Sequence, residues 1–207
     1  HLFEGLMKWE DSGEVANGSD GTADSGKLVP GQAESYEKTE NEDGTVTYTF
    51  KLRDGIKWSD GKDVTAGDFE YSWKRLVNPE TAADYNYMLD GVVNATEIMA
   101  GEKDPDELAA KALDDKTFEV TLVNDLNYFE ELCAFPAMMP VREDMIEKAG
   151  DQWTFDTATY ISNGAYKLKE WTHNSQIVVE KNENYYDVEN LGPETITFKL
   201  MDAQTAM

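Results

Sequence analysis

Chemistry in this chain would have to come from few side chains: two histidines, His1 and His173, and one cysteine, Cys133. The histidines lie far apart, and neither sits in a spacing that could hold a metal or complete a nucleophile–base pair. His173, in WTHNS, reads as a turn residue. Cys133 is flanked by Leu132, Ala134 and Phe135 in ELCAF, so it reads as a buried thiol. A single cysteine makes neither a disulfide framework nor a thiolate cluster. No GxSxG, HExxH or Walker-type glycine loop occurs, so nucleophilic, zinc and nucleotide chemistry lack their usual marks. The expectation is a protein that is not an enzyme and carries no cofactor or metal.

Carboxylates are the abundant functional group, with 42 Asp and Glu against 18 Lys and Arg and a net charge of -24. A glycosidase-like pair could arise from so many, but abundance does not place two of them on one bond. Asp20 and Asp24 suggest a calcium loop, yet the spacing fails and Gly31 stands where the bidentate glutamate would be. A solvated acidic loop is the reading that remains. The charge repels phosphate backbones and argues against nucleic acid as a partner. It equally disfavours an anionic membrane surface, and no apolar run reaches the roughly 20 residues of a spanning helix.

Aromatic residues are the other group that could meet a ligand, as stacking platforms. Tyr36, Tyr48, Trp58, Tyr71, Trp73, Trp153 and Tyr166 fall largely on apolar stripes of expected strands and helices, which assigns most of them to the core. Tyr85 and Tyr87 stand apart, beside Asp84 and Asp90 in a short helical or loop stretch.

The elements that must position these groups are legible from periodicity. HLFEGL reads as the last turn of a helix ended by Gly5, leading into a short strand, and Glu10 to Lys27 as a long exposed loop or hairpin tip. Gln32 to Leu52 reads as a hairpin, with Val46, Tyr48, Phe50 and Leu52 alternating with polar residues across from QAESYEKTE. Two Asp-Gly turns follow. Thr65 and Asp68 then form a helix-start signature ahead of Phe69, Trp73 and Leu76, with the helix ending at Asn78-Pro79. Thr81 to Gly101 reads as short helices divided near Gly91, and KTFEVTL as a strand after an Asp-Asp turn. NYFEELCAF and REDMIEKAG read as amphipathic helices, and AYKLKEW, SQIVVEK and ETITFKLM as strands. The fold class is α+β, with the terminal strands expected to share a mixed or antiparallel sheet and the helix-rich middle to form its own subdomain. Lacking an initiator Met, a signal peptide or a terminal cap, the chain reads as an excerpt.

The segment TYTFKLRDGIKWSDGKDVTAGDFEYSWKRL resembles the signature of the family 5 extracellular solute-binding proteins of the oligopeptide-binding type. HLFEGL, LVPGQAESYE, NPETAADYNYMLDGVVNATEIMAGEKDP, KALDDKTFEVTL, SNGAYKLKEW and VVEKNENYYD resemble further family segments in the same order. Two departures stand out: a Gly- and Asp-rich insertion near Val15 to Gly26, and a length less than half that of family members. The resemblance implies a partial lobe of a two-lobed clamshell of the periplasmic-binding-protein type. Residues 1–31 and 160–207 would belong to the main sheet subdomain of lobe one and 32–159 to an inserted α+β subdomain, with the second lobe outside this chain.

The function so implied is extracytoplasmic capture of oligopeptides for an ABC importer, by a lipoprotein or otherwise tethered protein. Its partners would be the peptide and the permease, with membrane contact only through an anchor or permease outside these residues. Relatives that bind an oligosaccharide, nickel or haem keep the ligand open, and an acidic hydrolase or adhesion module stands further off. Carried onto this sequence, the resemblance makes Glu4 a ligand-facing polar group, with Gly5 and Leu6 lending backbone contacts, although Gly5 also reads as a helix stop. Tyr85 or Tyr87 would be the aromatic contact. Asn163, Gly164 and Ala165 would lie near the cleft rim, or simply form a tight turn before AYKLKEW. The acidic partner of the peptide amino terminus would belong to the other lobe.

Overall fold

The computed structural model describes residues 1–12 and 26–201. The acidic loop with Asp20 and Asp24, nearly all of the Val15 to Gly26 insertion, and the last six residues lie outside them. The chain divides into two compact units: His1–Phe3, Asp54–Val64 and the described residues from Pro140 onward form one, and Glu4–Arg53 with Thr65–Met139 forms the other.

The unit built on Glu4–Arg53 and Thr65–Met139 contains β1 (Met7–Asp11) paired antiparallel with β2 (Gly26–Pro30). It also holds a four-stranded antiparallel sheet of β3 (Ala33–Glu40), β4 (Val46–Leu52), β5 (Ala110–Asp114) and β6 (Thr117–Leu122), in the order β3-β4-β6-β5. Strict alternation in β4 and β6 puts one apolar face on the core. The register brings Val46, Tyr48 and Phe50 opposite Leu122, Val120 and Phe118, all buried.

Helix α1 (Ala66–Val77) covers that face with Phe69, Trp73, Leu76 and Val77. The Trp73 ring meets Phe118 edge-on at 5.1 Å, and its Nε1 donates to the Met138 carbonyl over 2.9 Å. Burying each such side chain contributes about 1.5–3 kcal/mol. The helix begins as its sequence dictates: Thr65 caps it, and Asp68 returns a bond to the Thr65 N–H at 2.8 Å. The stretch to Gly101 contains only short pieces, 3-10 turns at Pro79–Thr81 and Asn86–Leu89 and the helix α2 (Ala95–Met99). Helix α3 is Phe129–Leu132.

The other unit carries a three-stranded antiparallel sheet of β7 (Tyr166–Thr172), β8 (Gln176–Lys181) and β9 (Thr195–Lys199), with helix α4 (Glu143–Ala149). Tyr166, Leu168 and Val179 form its core, packed by Leu2, Tyr160, Ile177 and Ile196. The segment 54–64 folds back on itself through the two Asp-Gly turns expected from the sequence, with Gly55 at φ +71° and Gly61 at φ +88°.

Three sequence expectations need correction. HLFEGL contains no helical turn: the carbonyls of Gly5 and Leu6 accept from Gln32, Gly31 and Ala33 rather than from residues four further on. Among the described residues the terminal strands do not share a sheet: β1 pairs with β2, while β7, β8 and β9 form a sheet of their own. Strand β5 was not anticipated, because AKALD has little β-branched or aromatic content and is held by pairing with β6.

Candidate functional site

Glu4, Gly5 and Leu6 form a short irregular segment fixed on both sides. Along one edge the Gln32 N–H donates to the Gly5 carbonyl at 2.9 Å, and Gly31 and Ala33 donate to the Leu6 carbonyl at 2.8 and 3.2 Å. On the other side Met7 N–H reaches the Cys133 carbonyl at 3.3 Å, and a Cβ on Gly5 would stand 2.3 Å from that same oxygen. Glycine at position 5 is therefore a matter of close backbone approach, not of stopping a helix. Gly31 is equally tight, with a Cβ there 2.7 Å from the Gly5 carbonyl.

Leu6 is wholly buried, so its side chain is a core contact, while Glu4 is 8% exposed and takes a 3.0 Å hydrogen bond from Gln32 Nε2. Burial pushes the neighbouring Cys133 thiol well above its ordinary range, with the Glu130 carboxylate adding to the effect. The thiol is a packing group and not a nucleophile.

Tyr85 and Tyr87, about half exposed, bracket the start of a 3-10 turn with ring centroids 6.1 Å apart. Tyr85 also lies 5.6 Å from Phe135. The turn from Cys133 to Phe135, which follows α3, thus approaches both the Glu4–Leu6 segment and Tyr85. Two residues that sequence reasoning missed are Gln32 and Phe135. The first had one signal, a polar side chain set between Gly31 and Ala33; the second was indistinguishable from any core aromatic.

Asn163, Gly164 and Ala165 lie in the other unit. Gly164 N–H donates to the Leu2 carbonyl at 2.9 Å, and a Cβ there would come within 2.7 Å of the His1 oxygen. Asn182 closes the turn, its Nδ2 donating to Gly164 O and its backbone N–H to Ala165 O. Asn163 is buried and Ala165 half-buried. Of the other aromatics, Tyr48, Trp58, Trp73 and Tyr166 are core residues. Among the described residues no group of three His, Cys, Asp or Glu could hold a metal ion, and no helix is long and apolar enough to cross a membrane.

A preformed, backbone-rich segment with one carboxylate, near an exposed aromatic pair, is suited to gripping an extended ligand that offers N–H donors and apolar side chains. It offers no pairing of nucleophile and base.

Comparison with known proteins gives a context for this arrangement. The model for the bacterial extracellular solute-binding proteins, family 5, middle region, matches residues 27–207. The periplasmic oligopeptide-binding protein OppA of Salmonella typhimurium is 45% identical over 189 residues, which are 90% of this chain and 34% of that protein. The "Probable deoxycholate-binding periplasmic protein" YgiS of Escherichia coli is 37% identical over 203 residues, 97% of this chain and 35% of that one. The solved structure of Haemophilus influenzae OppA in complex with the peptide RPPGFSPFR superposes with a TM-score of 0.83 at 39% identity, covering 95% of this chain and 36% of that one. The chain thus spans about a third of the length of the curated relatives it matches.

Proposed function

Because this chain belongs to the bacterial extracellular solute-binding proteins of family 5, we propose that the complete protein captures oligopeptides outside the cytoplasm and delivers them to an ABC importer permease. The observation that carries this reading is the family match over residues 27–207 together with 45% identity to an oligopeptide-binding relative. The α+β fold with antiparallel sheets is that of a partial periplasmic-binding-protein domain. In this proposal residues 1–31 and 160–207 serve the main sheet subdomain of lobe one, 32–159 form an inserted subdomain, and the rest of the complete protein supplies the second lobe.

The residues assigned to the ligand are Glu4, with Gly5 and Leu6 beside it, Tyr85 or Tyr87, and Asn163, Gly164 and Ala165. A peptide main chain presents donors and acceptors at regular spacing, so a rigid segment can bind it with little regard to sequence. Exposed tyrosines add apolar contact at low entropic cost, having few torsions to fix. The protein acts as a binding protein and not as an enzyme.

A second reading keeps the fold and changes the ligand, and it is favoured by the relative described as deoxycholate-binding. Native mass spectrometry of the complete protein, followed by denaturation and identification of what it releases, separates the two. Heterogeneous short peptides are expected. A single sterol, sugar or metal species would overturn the peptide assignment while leaving the family intact.

A further inference from the structure

We infer that Gln32 is a positioning residue for Glu4, holding its carboxylate in the one orientation that meets a ligand donor. The inference rests on the reading that Glu4 faces the ligand.

Three observations carry it. First, the backbone around Glu4 is already immobile, because Gln32, Gly31 and Ala33 bond the carbonyls of Gly5 and Leu6, and Gly5 is pressed against Cys133 O. The 3.0 Å bond from Gln32 Nε2 to Glu4 Oε1 then adds a direct restraint on the side-chain torsions of Glu4. Second, Gln32 is itself 1% exposed and its own backbone N–H is spent on Gly5 O, so it is anchored at both ends. An anchor of this kind transmits orientation rather than following it.

Third, the arrangement carries a cost that packing alone would not select. A carboxylate only accepts, so the amide must turn its NH₂ toward Glu4 and its oxygen away. That oxygen, Gln32 Oε1, is buried and has no partner among the described residues. An unpaired buried acceptor is unfavourable, whereas methionine would fill nearly the same volume with no polar atom to satisfy. Glutamine here trades fold stability for control of Glu4.

The test uses the complete protein with Gln32→Met, Glu4→Gln and the double substitution. Each is titrated calorimetrically with trialanine and trilysine and followed by thermal unfolding. Loss of a charge-assisted bond makes the expected effect of Glu4→Gln on trilysine a weakening of about tenfold or more. Gln32→Met should weaken trilysine by roughly three- to tenfold and trialanine by less than about twofold, with the melting temperature unchanged or raised and the effect gone in the Glu4→Gln background. The ratio of the two affinities is read on one preparation, so a partly unfolded sample alters stoichiometry and not the ratio. Gln32→Leu repeats the measurement with a second apolar side chain.

Equal weakening of both peptides together with a lowered melting temperature would make Gln32 purely structural and overturn the inference. So would unchanged affinities for Gln32→Met where Glu4→Gln weakens trilysine. If Glu4→Gln itself changes neither affinity, the ligand-facing assignment of Glu4 falls, and the role of Gln32 falls with it.

Discussion

Arg142 offers an asymmetric test of how charge is buried in this fold. Its side chain is 5% exposed, yet its guanidinium holds Asp60 through two contacts of 3.1 and 3.0 Å and Asp144 through contacts of 2.8 and 2.6 Å, while lying 5.7 Å over the Trp58 ring. The carboxylates are far less buried, at 25% for Asp60 and 43% for Asp144, and Lys62 reaches Asp144 at 2.8 Å. Removing the arginine therefore strands groups that water can still solvate. Removing both aspartates strands a cation that water cannot reach.

Arg142→Met is expected to cost about 1–2 kcal/mol, the part of the ion-pair energy that survives solvent screening together with lost stacking on Trp58. The double change Asp60→Ala, Asp144→Ala is expected to cost about 3–5 kcal/mol, because an unpaired buried charge remains. At about 2–4 °C per kcal/mol for a chain of this size, the melting temperatures should fall by roughly 2–8 °C and 6–20 °C. Urea unfolding followed by tryptophan fluorescence reads both.

The hydrogen bonds from Arg142, aided by Lys62 and opposed by burial, hold the Asp144 carboxyl well below the usual carboxylate range. A depressed carboxyl stabilises the fold above its unfolded value, about 3.9, and that contribution fades as pH falls toward the folded value. The acid sensitivity of the native protein below about pH 4 should accordingly be reduced in Arg142→Met. An arginine substitution as damaging as the double aspartate change would refute this account of where the desolvation cost lies.

Other expectations follow from single contacts. Trp73→Phe keeps one aromatic ring but removes the pyrrole ring from a wholly buried site and leaves the Met138 carbonyl without its 2.9 Å donor, and should cost about 2–4 kcal/mol in urea unfolding. Gly164→Ala drives a methyl to within 2.7 Å of backbone atoms of His1 and Leu2, so a loss of roughly 1–3 kcal/mol and altered hydrogen exchange around Tyr166 are expected. Cys133, buried with a raised thiol pKa, should resist maleimide labelling at pH 8 until denaturant is added. Tyr85→Ala and Tyr87→Ala remove half-exposed rings and should change stability by no more than about 0.5 kcal/mol. Peptide calorimetry on the complete protein would show whether either one weakens binding.

Local signals settled a large part of this molecule in advance. The alternation of Val46, Tyr48, Phe50 and Leu52 specified β4, the Thr65–Asp68 pair specified the start of α1, and Asp54-Gly55 with Asp60-Gly61 specified two turns, since each depends on neighbours within a few residues. The ordered motifs also carried the family, which is a property of the sequence as such. Long-range packing decided the remainder. HLFEGL looked helical by the spacing of Leu2, Phe3 and Leu6 but contains no helical turn, because the Gly31–Ala33 segment satisfies the Gly5 and Leu6 carbonyls and the Cys133 carbonyl crowds Gly5 from elsewhere in the chain. The same contacts turned Gly5 from an apparent helix stop into a steric necessity and brought Gln32 against Glu4 across 28 positions. No period in the sequence encodes such a meeting: side-chain periodicity says which face is buried, and only the assembled fold says what that face is buried against.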